Sequence, residues 1–473
     1  MKLLRINERD NVAVALENIS AGYEEDGIKV IEDIPKAHKV ALTDLRTGDI
    51  VKKYGCSIGH MTENVNAGGY VHEHNLKTNL GEQIEYSFSG DREYNPEKSE
   101  LTVNAYVREN GKIGIRNDIW IIPTVGCVNK TCEALAGKFG DNVFAFTHPY
   151  GCSQMGDDMV NTQKILAGLV KHPNAGGVLV VSLGCENNNL GEFKKHLGSI
   201  NENRVRFLCC QEVENELEEG AEIIDELLEI AAQDKRESVG IENLVVGYKC
   251  GGSDAFSGIT ANAVCGRLND RLTKAGATTI LTETPEMFGA EHILMSRCKN
   301  KTVFGKCVEM INGYKNYFEK HNQVCYENPS PGNHDGGITT LEEKSLGCIQ
   351  KGGDSVVTDV LQYAQPVKTN GLNLLYGPGN DIVSTTNLTA SGAHIILFTT
   401  GRGTSLGAPV PTIKLSSNSD LANRKSNWID FDAQKQTVDE LEQLLINVAN
   451  GSQTKNEQNG YREIAIFKNG VTM

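Results

Sequence analysis

The sequence predicts an α/β protein in three parts: a small β domain over residues 1–90, then two α/β domains over 101–237 and 241–473. Three observations carry this. Short strand-like stretches broken by glycine fill the first part. A polar, proline-containing stretch, SFSGDREYNPEKSE at 87–100, separates it from the rest of the chain. From about residue 101, apolar runs of strand length alternate with amphipathic stretches of helical period. At 473 residues the chain has room for about three domains.

Taken in order, HKVAL and DIVKKYG supply strands of the first part. In the second, WIIPTVGCVN, FAFTHPYGCSQ and VLVVSLGCENN are each an apolar run closed by Gly-Cys, and the acidic amphipathic stretch QEVENELEEGAEIIDELLEIAAQ predicts a closing helix near 233. The third opens with LVVGYKCGGSDAFSG and continues into a helix over ITANAVCGRLNDRLTKAG, whose last glycine suits a helix end. Two glycine-rich stretches and a terminal helix, TVDELEQLLINVAN, complete it. Strands that alternate with helices in this way predict parallel, Rossmann-like sheets covered by helices.

Acidic residues outnumber basic ones 61 to 46 and no basic block offsets them, which argues against nucleic acid and against an anionic membrane as partner. A small anionic ligand would need a locally cationic pocket. No charged leader followed by an apolar stretch opens the chain, and no apolar run approaches the ~18 residues of a membrane span, so a cytoplasmic protein is expected. Thirteen cysteines, odd in number, widely spread and without a CxxC pair, fit reduced thiols and metal ligation better than disulfides.

The carboxyl ends of parallel strands share one edge of their sheet, so the Gly-Cys endings can bring Cys127, Cys152 and Cys185 to one rim. A glycine before the cysteine permits the tight turn that aims it. Three thiolates suit an iron–sulfur cluster with one iron open, or a single iron completed by other ligands. Cysteine is also a small hydrophobe at home in cores. Cys209, Cys210, Cys298, Cys307 and Cys325 lack the pattern and are read that way, while Cys250, ahead of two glycines, shares it in part.

GGYVHEHNLKT sets His72 and His74 two apart. In an extended segment both rings share a face and Asn75 turns away, an arrangement that could hold a metal, move a proton or clamp a carboxylate. His148 lies four residues before Cys152. FTTGRGTSLG offers backbone N–H groups, Arg402 and the Thr404 hydroxyl to a carboxylate or phosphate, but it lacks a P-loop lysine, and GPGND lacks the dinucleotide fingerprint. TTLEEKSLG, with Glu342, Glu343 and Lys344, also reads as a solvated helix start.

At IPKAHKVAL, GDIVKKYGCSIGHMTENVNAGGYVHEHN, THPYGC, LGCE, KCGGSDAFSGITAN, EEKSLG, PGND and FTTGRGT, the chain resembles the sugar-acid dehydratases that include altronate and galactarate dehydratases, with a SAF β-clip module at the front. Sulfolactate sulfo-lyase belongs to the same group with the two parts as separate subunits, so a fused chain points to the aldonic or aldaric acid enzymes. The resemblance implies an iron-dependent hydro-lyase of sugar-acid catabolism and hexuronate degradation. It would convert a 2,3-dihydroxy acid, D-altronate first and galactarate or another hexarate or hexonate second, to a 2-keto-3-deoxy acid. On this reading His72 and His74 form the acid/base pair, Cys127, Cys152 and Cys185 hold the iron, and Asn75, His148, Lys344, Arg402 and Thr404 orient the substrate. A rival arrangement holds a single Fe²⁺ on His72 and His74 with carboxylates. A non-catalytic carbohydrate-binding protein and a nucleotide-dependent oxidoreductase are the readings from other classes, and a homo-oligomer is compatible with all of them.

Overall fold

The computed structural model describes residues 1–81, 86–325, 327–470 and 472. The protein is mixed α/β, with a small N-terminal β-clip followed by helices around two wholly parallel sheets. In the clip, Leu3–Leu4, Val12–Ala15, Lys39–Ala41 and Tyr70–Val71 form one antiparallel sheet, and Ile50–Lys53, Cys56–Met61 and Leu76–Lys77 a second. Alternation along Ile50–Lys53 turns Val51 and Lys53 inward.

We number the strands and helices of the parallel sheets that bear on the site. The smaller sheet contains β1 (Asp118–Pro123), β2 (Val143–Ala145), β3 (Ala175–Ser182) and β4 (Val205–Cys209), in the order β2-β1-β3-β4, and helix α1 (Asp157–Val170) follows β2. All eight residues of β3 are buried, as expected of a central parallel strand covered on both faces. An antiparallel ladder between Thr102–Val107 and Arg236–Gly240 ties the start of this part to its end.

The larger sheet contains β5 (Val245–Cys250), β6 (Thr278–Leu281), β7 (Val357–Leu361), β8 (Gly371–Leu375), β9 (Ile395–Thr400), β10 (Thr412–Ser416) and β11 (Phe431–Asp432), in the order β7-β8-β6-β5-β9-β10-β11. The chain runs outward from β5 to one side, then returns to continue on the other, so the order switches between β5 and β9. Parallel sheets of this kind open a ligand crevice at the carboxyl ends of the strands flanking such a switch. The loops after those two strands are joined there, Gly401 and Arg402 donating backbone N–H bonds to the Gly252 carbonyl at 3.0 Å.

One apolar cluster runs from Trp120, Leu166 and Val178 into Ile280, Leu388 and Phe398, and another joins Val51, Ile58 and Leu76 of the clip to Leu294, Leu341 and Leu346. Both boundaries between parts are therefore apolar core. No described helix is long and apolar enough to cross a membrane.

Candidate active site at the switch point

A cavity of about 350 Å³ lies at the crevice, lined among others by Cys250, Ser253, Glu286, Asn333, Lys344 and Asp381. At its base the Sγ atoms of Cys250 and Cys348 stand 3.3 Å apart, and Glu286 Oε2 lies 3.2 Å from the first and 3.1 Å from the second. All three side chains are buried, and among the described residues they are the only histidine, cysteine or acid trio whose ligand atoms come close enough to share one metal ion.

Each comes from a different element. Cys250 ends β5, and Cys348 ends helix α3, which is the third helix numbered here after α2 (Pro331–Asp335) and spans Leu341–Cys348. Glu286 lies in the 3₁₀ turn Thr284–Met287 after β6. The turn is entered through Glu283, a buried residue held at φ +75°, a left-handed conformation seldom adopted by a side chain of its size and one that clusters at functional sites.

Buried ammoniums surround the trio. Lys344 Nζ lies 2.9 Å from Glu286 Oε1, 2.9 Å from Asn328 Oδ1 and 3.2 Å from Asn333 Oδ1. Lys249 pairs with Glu283 and, at 3.0 Å, with Asp381, and Lys351 reaches Glu283 at 3.4 Å. The thiol–thiol bond from Cys348, helped by Lys351 and Lys249 against the effect of burial, brings the Cys250 thiol down to about 6. Burial would raise Glu286, but the charges of Lys344, Lys249 and Lys351 hold it well below the usual carboxylate range. Cys250 Sγ donates to Glu286 Oε2 at 3.2 Å, and a cation between the two would offset the repulsion that follows loss of that proton. Two sulfurs and a carboxylate oxygen form a donor set suited to a divalent transition metal, iron included, so the residues fit such an ion.

Helix α3 is buried along its whole length, because the clip covers one side and the sheet rim the other. Glu343 takes Lys39 Nζ at 2.9 Å and Lys53 Nζ at 2.7 Å, both from the clip, while Glu342 accepts from Thr78 Oγ1 at 2.9 Å and Asn79 N at 2.7 Å. Thr340 caps the helix and donates its hydroxyl to Ile58 O at 2.6 Å. The solvated helix start expected from TTLEEKSLG is thus corrected: its charges meet partners contributed by another part of the chain.

The expected pairing of His72 with His74 on one face also changes. Residues 72–75 form a turn, closed by Asn75 Oδ1 accepting the His72 N–H at 2.9 Å while Asn75 Nδ2 donates to Tyr70 O at 2.8 Å. His72 is buried between His38 and His334, with ring centroids 4.6 and 6.3 Å away, whereas His74 is exposed beside Tyr70. Burial, then Lys39 and His38, takes His72 down to about 3. Neither histidine joins a trio of single-ion size among the described residues.

Lys344 lines the cavity, and Arg402 stands half-exposed 3.7 Å from Asp335. Thr404 accepts from the Leu406 N–H at 3.2 Å within its own turn. His148 uses both ring nitrogens on backbone, Nε2 to Pro123 O at 2.8 Å and Nδ1 from Tyr150 N at 3.2 Å. Cys127, Cys152 and Cys185 are exposed on the rim of the smaller sheet and do not form a trio of single-ion size. Sequence reasoning missed Glu286, Cys348, Glu283, Lys249 and Lys351. The signals were the strand-end lysine in GYKC, the glutamates of TETPEM, and a further Gly-Cys in SLGC that lies on a helix.

Buried neutral histidines make the fold acid-sensitive. Burial lowers His148 to about 4 and His394 to about 3, and it takes His172 well below its usual value. A histidine with a depressed folded value stabilises the fold above its unfolded value near 6.5 and loses that contribution as pH falls toward the folded one. Each should therefore lower the unfolding free energy by up to about 1.4 kcal/mol per pH unit below 6.5. Urea unfolding at pH 7 and pH 5 checks this, and equal midpoints would contradict it.

Residues 1–79 match the family described as altronate/galactarate dehydratase SAF domain, 105–232 the D-galactarate dehydratase/altronate hydrolase second domain, and 241–472 the D-galactarate/altronate dehydratase C-terminal domain. The chain is 47% identical to an altronate dehydratase of Escherichia coli (strain K12) over 495 residues, covering 100% of both. It is equally 47% identical to an altronate dehydratase of Bacillus subtilis (strain 168), covering 99% of each. A galactarate dehydratase (L-threo-forming) of Escherichia coli (strain K12) is 31% identical, over 98% of this chain and 96% of that one. With all three domains matched in order and end-to-end alignment at this identity, the chain belongs to the altronate/galactarate dehydratase family.

Proposed function

We propose that the protein is a cytoplasmic hydro-lyase that dehydrates D-altronate to 2-dehydro-3-deoxy-D-gluconate in the switch-point cavity, acting on a small sugar acid and not on nucleic acid. The observation that carries this is a polar cavity whose base joins a single-ion donor trio to a buried lysine. The relatives named altronate dehydratase, at 47% identity, favour altronate over galactarate.

Dehydration takes a weakly acidic proton from the carbon beside a carboxylate and expels the hydroxyl of the next carbon. Cys250, Glu286 and Cys348 would hold ferrous iron, which supplies Lewis acidity for the enolate-like charge and for the departing oxygen. The Lys344 ammonium, held by Asn328 and Asn333, would pair with the substrate carboxylate. Arg402 at the neighbouring loop and the hydroxyl of Thr404 are the outer contacts. Asn75 and His148 act indirectly, the first by closing the turn that presents His72 and the second by bracing the smaller sheet's rim. Burial, then Lys39 and His38, keep His72 neutral, the form that accepts a proton. His74, on the solvent side, is the second member of the pair.

The test is an anaerobic assay of hexonates and hexarates with Fe²⁺, reading 2-keto-3-deoxy product. D-Altronate should give the highest kcat/KM, and binding without turnover would overturn the reading. Lys344→Met should raise KM at least about 10-fold, as expected when a charged hydrogen bond worth roughly 1.5–3 kcal/mol is lost. His72→Asn should lower kcat by about 100-fold or more, and His74→Asn with parental activity would remove that ring from the pair.

A further inference from the structure

We propose that Cys127, Cys152 and Cys185 hold a [4Fe–4S]-type cluster on the exposed rim of the smaller sheet, separate from the cavity and with one iron open to solvent. The three thiols follow β1, β2 and β3, which are neighbours in the sheet, so their loops leave the same edge side by side.

Direct bonds knit those loops together. The Gly126 N–H donates to Tyr150 O at 2.8 Å, and Asn129 Nδ2, two residues beyond Cys127, donates to His148 O at 2.9 Å. Asn188 bridges the other two loops, its N–H donating to Gly151 O and its Nδ2 to Thr124 O, both at 3.0 Å. Gly151, at φ +98°, packs so closely that a Cβ there would lie 1.9 Å from Thr124 O, and Gly184 is held at φ +126°. Glu186 is buried beneath the rim and accepts from Thr124 Oγ1 and Ser182 Oγ at 2.6 Å and from Gly184 N at 2.7 Å.

Buried polar groups and close glycine contacts thus fix the backbone beside all three cysteines, yet the thiols themselves are exposed and in no disulfide. Cys152 Sγ bonds to Asn187 Oδ1 at 3.5 Å and lies 4.0 Å from the Ser153 hydroxyl, and Gln211 Nε2 donates to Cys185 Sγ at 3.5 Å. Cysteines that served only as small hydrophobes would be buried instead. The three thiols do not form a trio of single-ion size among the described residues. A cubane cluster spreads its ligands over a wider triangle, and three thiolates leave one of its irons open.

Anaerobically purified protein should carry about four acid-labile sulfides per chain, as this cluster type requires. Cys127→Ser, Cys152→Ser and Cys185→Ser should each abolish the sulfide and the brown colour, whereas Cys250→Ser should keep them. Alkylation of the parent protein followed by peptide mapping gives a readout independent of variant folding: the three thiols should be protected until air or chelator destroys the cluster. Absence of sulfide, sulfide that survives all three substitutions, or full-rate alkylation of the intact anaerobic protein would each overturn the proposal. None of these readouts depends on altronate turnover, so this site and the cavity reading stand or fall separately.

Discussion

Glu286→Gln should abolish binding of the proposed metal ion and nearly all activity while leaving the fold in place. The substitution keeps the size of the side chain while removing its charge and turning one acceptor oxygen into an amide donor. That charge lies 3.1–3.2 Å from both sulfurs and 2.9 Å from Lys344. Replacing a group that merely supports a ligand typically weakens metal binding by about 10–100-fold, so loss of a ligand should exceed the upper figure. Without the electrophile, kcat/KM should fall by about 1,000-fold or more. Iron titration, turnover and thermal melting of the same sample separate the outcomes. Iron bound with parental affinity in Glu286→Gln would move the metal elsewhere, while a collapsed melting curve would show a structural role, which Cys250→Ser then tests independently.

Strand content was legible because central parallel strands are covered on both faces, and VLVV and IILF are short apolar runs of strand length. The strand-end rule pointed to Cys127, Cys152 and Cys185 and matched Cys250 only in part. It could not lead to Cys348 or Glu286, since a helix end and a 3₁₀ turn share no period with β5 and meet it only through packing across 98 and 36 residues of chain. The histidine pair was misplaced for a local reason. Period-two logic presumes extended backbone, and the Asn75 side chain closes a turn in which the two rings part. The acids of α3 looked solvated because their partners, Lys39 and Lys53, stand 304 and 290 residues away in sequence.

That last contact makes Glu343 the most consequential single charge for stability. Glu343→Gln would leave two fully buried ammoniums facing a neutral amide, and breaking a buried pair in this way typically costs about 3–5 kcal/mol. The loss should also reach the active site, because the helix that Glu343 anchors carries Lys344 and Cys348 on adjoining turns. Replacing all three groups together, Glu343→Leu with Lys39→Met and Lys53→Met, removes the unpaired charges and should recover most of the stability. The pH dependence has a definite sign. Burial opposes ionisation of Glu343, but Lys39 and Lys53 hold it well below its ordinary 4.5, so its contribution is complete at neutral pH and declines as pH falls below that value. For Lys39, burial outweighs the pull of Glu343 and lowers it to about 8 from 10.5, so between those values the unfolded chain binds the extra proton and this residue's share of stability rises with pH. Urea unfolding of the full chain from pH 3 to pH 10 reads both arms. A Glu343→Gln midpoint equal to the parent at pH 7 would show that the clip is held by its apolar contacts alone.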